Sequence, residues 1–218
     1  MSPRAVVFDM DGVLTDTESI WDTVRRGLTA DEGLAWPAGA TAAMMGMSTA
    51  EWSRYLVDTV GLSGTPEQAA QRTIEALAVR YADHLPVLPG AVAAVRRLAG
   101  RWPVGLASSS PRRLIDVSLA ALGIADAFAA TVSTEEVGRG KPSPDGYLQA
   151  CALLGADPRE CVAIEDSSNG LRAAAAAGMA VIAVPRPDFP PAPEALALAD
   201  VVVADLDAVG LDLVAGLR

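Results

Sequence analysis

The sequence predicts an α/β protein: a parallel-sheet, Rossmann-like core with an inserted all-helical domain. Three observations point there. Short apolar runs alternate along most of the chain with segments of helical apolar spacing, the pattern of a parallel sheet covered on both faces. Residues 16–85 break that alternation and carry helical patterns only. Acids, hydroxyls and the chain's single lysine come after the apolar runs, and open parallel sheets bind ligands at the carboxyl ends of their strands.

The first run, "AVVF" (5–8), is apolar throughout, as a strand buried on both faces requires. After it, "DTESIWDTVRRGLTADEG", "TAEWSRYLVDTVG" and "TPEQAAQRTIEALAVRYADH" repeat apolar residues at helical spacing, with Asp or Thr placed to cap them. This stretch is a helical insertion, not a long loop. The alternation resumes near "LPVLPG". The helix "GAVAAVRRLAG" leads to the strand "VGLA" (104–107), and "SPRRLIDVSLAALG" to the weaker strand "FAATV" (128–132). "SPDGYLQACALLG" then precedes "CVAI" (161–164), and "SNGLRAAAAAG" precedes "AVIAV" (180–184). All four of these helical segments end at Gly; three begin near Ser and one after Pro-Gly, so start and stop signals agree. In "SPRRL", Ser110 and Pro111 read as an N-cap and first helical residue. A Pro-rich connection, "VPRPDFPPAPEAL" (184–196), reaches the last strand, "DVVVA" (200–204). The predicted organisation is a core of residues 1–15 and 86–218 with an insertion of residues 16–85.

A chain of 218 residues buries roughly 70% of its unfolded surface, enough for a substantial core. Half of its residues are apolar, which excludes a disordered chain. The net charge of −10 argues against a nucleic-acid partner or an anionic membrane surface, though a local cation can still draw in a phosphate. Two cysteines, Cys151 and Cys161, lie in apolar surroundings and read as buried small hydrophobes in a reducing compartment. The apolar run at the start is too short for a signal peptide, and no apolar stretch reaches the ~20 residues of a membrane span. These features predict a cytoplasmic protein, monomeric or a weak homodimer.

The strand ends carry the chemistry. Asp9 and Asp11 follow the first strand, Ser108, Ser109 and Ser110 follow "VGLA", Glu165 and Asp166 follow "CVAI", and Lys141 lies in the loop after "FAATV". Neighbouring carboxylates need a proton or a cation between them. An Asp after a strand often caps a helix, so "DMD" alone would carry little; the second acidic pair on another strand end shifts the balance to a metal, and all-oxygen ligation suits Mg²⁺. The cap reading accounts for Ser110 and leaves Ser108 for a ligand. Lys141 is the one lysine among sixteen arginines. A site that needs a compact ammonium between a carboxylate and a phosphate does not accept the broad guanidinium fork, which accounts for its isolation.

Together, "VVFDMDGVLTDTE", "LASSS", "GKPSPD" and "VAIEDSSNG" resemble, in order and spacing, the haloacid dehalogenase-like hydrolases, over essentially the whole chain. The insertion is similar to the helical cap of beta-phosphoglucomutase and many small phosphatases. The resemblance implies that Asp9 is the nucleophile and Asp11 the general acid and then base. It further implies that Ser108 binds the transferring phosphoryl group and that Lys141 neutralises charge on it and on Asp9. Mg²⁺ would be held by Asp9, the main-chain carbonyl of Asp11 and Asp166, with Glu165 acting through a water. Substrate binding would fall to Ser109 and to Glu18, Trp21, Met47 and Ser48 of the cap, in the "MMGMSTAEW" segment (44–52) and the helix before it. Ordinary packing between cap and core accounts better for most of these side chains. The implied activity is Mg²⁺-dependent hydrolysis of a small phosphate monoester.

Two related activities fit less well. Dehalogenases lack the second Asp of the pair, and phosphonate-cleaving relatives use a cap lysine, whereas residues 16–85 contain none. Where beta-phosphoglucomutase has a His and a cap Arg, this chain has Trp21 and Thr49, which favours a phosphatase over a sugar-phosphate mutase. Phospho-accepting receiver domains also combine an Asp pair, a Ser or Thr and a Lys, but have no inserted helical domain. The lone histidine, His84, reads as a surface or packing residue.

Overall fold

The computed structural model describes residues 3–44 and 47–217. The chain divides into two compact units, Met1–Asp16 with Pro86–Arg218, and Thr17–Leu85. The second unit contains α1 (Glu18–Asp31), α2 (Ala40–Met44), α3 (Thr49–Tyr55) and α4 (Pro66–Asp83), and no strand among its described residues. α1 and α3 pack on α4 around Trp52, Leu56, Ala69 and Ala70, with Trp21 and Met47 against that cluster. Thr65 caps α4 reciprocally: Gln68 N–H donates to Thr65 Oγ1 (3.3 Å), and Thr65 N–H to Gln68 Oε1 (3.0 Å). The predicted continuous helix over "TAEWSRYLVDTVG" widens into a π turn at Leu56–Val60, closed by Gly61 at φ 90°. Met45 and Gly46, within the predicted substrate segment, lie outside the described residues.

The first unit is one sheet of six parallel strands: β1 (Ala5–Phe8), β2 (Val104–Ser108), β3 (Phe128–Ser133), β4 (Cys161–Glu165), β5 (Ala180–Ala183) and β6 (Val201–Val202), in the order β3-β2-β1-β4-β5-β6. The winding reverses between β1 and β4, which puts a crevice beyond their carboxyl ends. Side chains alternate across the sheet. Val6, Phe8, Leu106, Ile164 and Ile182 lie under α5 (Ala91–Ala99), α6 (Arg112–Ala121) and α10 (Leu211–Gly216). Ala5, Val7, Ala107, Ala163 and Ala183 lie under α7 (Asp145–Leu153), α8 (Ser168–Ala176) and α9 (Pro193–Leu196). One face is therefore built of large side chains and the other mainly of alanine. Cys151 and Cys161, both free and buried, belong to the alanine face.

β6 is shorter than "DVVVA" predicts. Asp200 and Val203 N–H bond to Val181 and Ala183 O beyond its two ladder residues, and Val202 is half exposed, a short edge that offers little to another chain. Two predicted caps are redirected by distant partners. Asp16 takes both guanidinium nitrogens of Arg186 (2.7 and 2.9 Å), so the position before α1 is Thr17. Ser110 does not cap α6, which starts at Arg112 after Pro111. No helix among the described residues is long and apolar enough to cross a membrane. His84 sits exposed at the end of α4.

Candidate active site

Strand ends bring the core residues together. β1 runs 0% exposed to Phe8, and Asp9 emerges from it with its N–H still bonded to Ile164 O of the neighbouring strand (3.0 Å). The chain then turns at Gly12, whose φ of +92° favours glycine and whose place against Asp166 demands it: a Cβ there would lie 1.9 Å from Asp166 Oδ2. β4 ends at Glu165 and is followed by Asp166. Asp9, Glu165 and Asp166 are all buried, and one carboxylate oxygen from each lies within 4.8 Å of the others.

Lys141 reaches into this group from the loop before α7, next to a cis Lys141–Pro142 peptide bond. Its Nζ donates to Asp9 Oδ1 and to Glu165 Oε1, both at 2.6 Å, lies 5.1 Å from the Tyr147 ring centre, and its side chain is 6% exposed. Burial alone would lower the Lys141 pKa, but Asp9 and Glu165 more than reverse this and hold the ammonium well above its ordinary range. Burial pushes the Asp9 carboxyl up to about 7, against the pull of Lys141. Asp166 is pushed up to about 9, first by burial and then by the charges of Glu165 and Asp9.

Glu165 is the anchor of the group. Its Oε1 accepts from Lys141 and from the Tyr147 hydroxyl (2.8 Å); its Oε2 accepts from Asp166 N–H (3.0 Å), Ser167 N–H (3.2 Å) and Ser167 Oγ (3.2 Å). Tyr147 remains a protonated donor because burial, then the charge of Glu165, raises its pKa. Ser167 also caps α8 by accepting from Gly170 N–H (3.0 Å). Gly170 leaves room for the Glu165 carboxylate, since a Cβ there would stand 1.7 Å from Oε1. Sequence reasoning missed Tyr147 and Gly170: one sits in an apolar helical pattern and the other among helix-start residues.

The other predicted site residues divide. Ser108 is wholly buried at the end of β2, and its Oγ accepts from Ser110 N–H (3.0 Å), a bond that does not use its own hydrogen. Asp11 lies beside Ser110, whose Oγ donates to its Oδ2 (2.7 Å). Ser109 is exposed. Within the helical unit, Glu18 is exposed at the start of α1, while Trp21 meets Trp52 edge-on (5.6 Å between centroids, 72°) and the Arg25 guanidinium lies 4.6 Å from its ring centre. Met47 packs on the apolar cluster. Ser48 N–H and Oγ both donate to Glu51 Oε2 (2.8 and 2.7 Å), a helix-start arrangement for α3.

A metal ion fits the acidic group. Three ionised carboxylates and one ammonium leave two negative charges in a buried space, which a divalent cation cancels. Asp166 Oδ1 is buried with no hydrogen-bond partner, an oxygen of the kind a cation occupies. The oxygen-only donors suit a hard ion.

Comparison with known proteins agrees with this arrangement. The chain is 34% identical to hexitol phosphatase B of Escherichia coli K12, over 93% of its length and 92% of that protein. It is 31% identical to the fructose-1-phosphate phosphatase YqaB of the same strain, over 82% and 95% of the two chains. Among solved structures, CbbY from Rhodobacter sphaeroides in complex with phosphate superimposes with a TM-score of 0.82 at 25% identity, covering 95% of this chain and 96% of that one. The family profile described as haloacid dehalogenase-like hydrolase matches residues 3–178. With its six-stranded parallel core and phosphatase relatives, the chain belongs to the haloacid dehalogenase-like hydrolases and is a phosphoric monoester hydrolase.

Proposed function

We propose that the protein is a Mg²⁺-dependent phosphatase that hydrolyses a small organic phosphate monoester, a sugar phosphate or close analogue, through an aspartyl-phosphate on Asp9. The observation that carries this reading is the buried Lys141 ammonium, 2.6 Å from both Asp9 and Glu165 and beside Asp166. Phosphoryl transfer demands in-line positioning and compensation of negative charge more than elaborate covalent chemistry. Mg²⁺, when bound, would be held by Asp9, the Asp11 carbonyl and Asp166, and supplies charge compensation to the phosphoryl oxygens. Glu165, with both oxygens engaged, fixes Lys141 and meets the ion only through water.

In the first half-reaction an Asp9 oxygen bonds to phosphorus, the ester P–O bond breaks, and Asp11 gives its proton to the departing alcohol oxygen. In the second, water attacks the aspartyl-phosphate, Asp11 takes the water proton, and the P–O bond to Asp9 breaks to release phosphate. Ser108 offers its hydroxyl hydrogen to the phosphoryl group, and Lys141 stabilises the charge passing between that group and Asp9. The names of the two bacterial phosphatases support a sugar-type substrate. Ser109, Glu18, Trp21, Met47 and Ser48 are proposed to choose it; Glu18, Ser48 and Ser109 are exposed. A cytoplasmic location suits two free, buried thiols.

A phosphate-release screen over sugar, nucleotide and glycolate-type phosphates, with Mg²⁺ and with chelator, tests the reading. Release from a sugar phosphate that chelator abolishes is expected. Isomerised sugar phosphate without free phosphate would instead indicate a mutase, and a lasting phosphoenzyme without turnover a receiver-like protein.

Thermal unfolding tests the ligand set without activity. Asp9 and Asp166 have pKa values raised above the ordinary 3.8, so the metal-free protein takes up protons there on folding. That contribution is complete below about pH 4 and is lost as pH rises through about 7 and then about 9. Mg²⁺ replaces those protons. The metal-free midpoint should fall between about pH 6 and pH 9, and Mg²⁺ should raise it more at the higher pH. A midpoint indifferent to Mg²⁺ at both values would reject these ligands.

A further inference from the structure

Ser110 has the sequence setting of a helix cap and the position of something else. A Ser at a helix start commonly caps the first turn, yet the Ser110 Oγ donates to Asp11 Oδ2 at 2.7 Å, across 99 residues of sequence, and α6 begins only after Pro111. The residue is 5% exposed, and its backbone is fastened on both sides. Its N–H donates to Ser108 Oγ at the end of β2 (3.0 Å), and its carbonyl accepts from Ser133 Oγ at the end of β3 (2.8 Å). Ser108 and Ser133 are both 0% exposed, and Pro111 follows at φ −54°. Two strand ends and a proline thus set where the hydroxyl points. From Asp11's own turn, Thr15 Oγ1 makes a longer contact with its Oδ1, at 3.5 Å.

We propose that Ser110 is a positioning residue for Asp11, holding its carboxyl in the orientation from which protons are transferred. The proposal rests on the reading of Asp11 as acid and base given above. A hydroxyl suits the task because it donates and accepts. It donates to the carboxylate and, with its hydrogen turned, accepts from the carboxylic acid, so one contact serves both half-reactions. A displacement of ~1 Å at such a group can cost 10²-fold in rate.

Leaving-group dependence tests this. An alkyl phosphate needs a proton on its departing oxygen, whereas p-nitrophenolate leaves without one. Ser110→Ala should lower kcat/KM for the best alkyl phosphate about 10–100-fold. For p-nitrophenyl phosphate the loss should stay below about threefold, the departing oxygen needing no proton. Ser110→Thr, which retains the hydroxyl, should recover most of the loss. Ser110→Cys, with a weak donor of similar size, should fall between and show the same aryl preference, which keeps the test alive if the alanine variant does not fold. Equal losses on both substrates, or a folded Ser110→Thr as impaired as Ser110→Ala, would overturn the proposal. Asp11→Asn is the reference. If it shows no aryl preference, the acid role of Asp11 has failed and the proposal with it; an aryl preference there beside equal losses in Ser110→Ala rejects Ser110 alone.

Discussion

Asp9→Asn is expected to abolish phosphate release from every substrate, a loss on the order of 10⁴-fold or more, as removal of a covalent nucleophile does elsewhere. An amide oxygen can still accept the Lys141 hydrogen bond, so the loss should come without collapse of the fold. The Asp9 side chain is 8% exposed beside Glu165 and Asp166, and removing one of three buried carboxylates relieves repulsion among them. The metal-free variant should therefore unfold no earlier than the parent, most visibly at about pH 9, where the parent carries the most uncompensated charge. Steady-state phosphate release and a thermal scan of the same preparation separate the two effects. Activity that survives the substitution would remove Asp9 as the nucleophile.

Lys141→Arg should be almost as damaging as Lys141→Ala, although only arginine keeps the charge. Nζ is a point donor 2.6 Å from two carboxylates, above the Tyr147 ring, in a space that leaves its side chain 6% exposed. A guanidinium is planar, wider and set on a different stem, so it cannot place one nitrogen between Asp9 and Glu165 without displacing one of them. A loss of roughly 10²–10³-fold in kcat is expected for both variants, the scale of removing one transition-state charge stabiliser. Lys141→Ala should also destabilise the fold by about 3–5 kcal/mol near neutral pH, because it leaves buried carboxylates without their partner. Lowering the pH should shrink that penalty as Asp9 and Asp166 take up protons. Near-wild-type turnover by Lys141→Arg would show that any cation serves and that the chain's single lysine is there by chance.

Residues whose partners are set by strand direction were legible. Asp9, Glu165 and Asp166 follow uninterrupted apolar runs, and once those runs are parallel neighbours their ends must share a rim. Lys141 stood out by composition. Ser110 and Asp16 were misread for one physical reason: Ser-Pro and an Asp at a helix start are local cap signals, and half-buried partners 99 and 170 residues away outcompete them. Tyr147 gave no signal, because its apolar ring satisfies the helix pattern and only the tertiary fold shows its hydroxyl meeting Glu165. Gly170 was legible as a helix-start residue but not as space for a carboxylate. In the helical unit, Ser48 and Met47 have local structural work that a motif cannot distinguish from substrate contact.

The unequal faces of the sheet bear on how this enzyme can change over evolutionary time. The α7 and α8 side is closed by alanine on alanine, with Ala163 and Ala183 facing Ala150, Ala173 and Ala174, all 0% exposed. Those two helices carry Tyr147, which donates to Glu165, and Gly170, which leaves its carboxylate room. A larger residue there would push a helix outward, at about 1–3 kcal/mol, and slacken the hold on the very carboxylate that aims Lys141. On the opposite side, phenylalanine, leucine and isoleucine can exchange volume among themselves far from that grip. Substitutions should therefore accumulate mainly beneath α5, α6 and α10, leaving the alanine layer the slower-drifting half of the core.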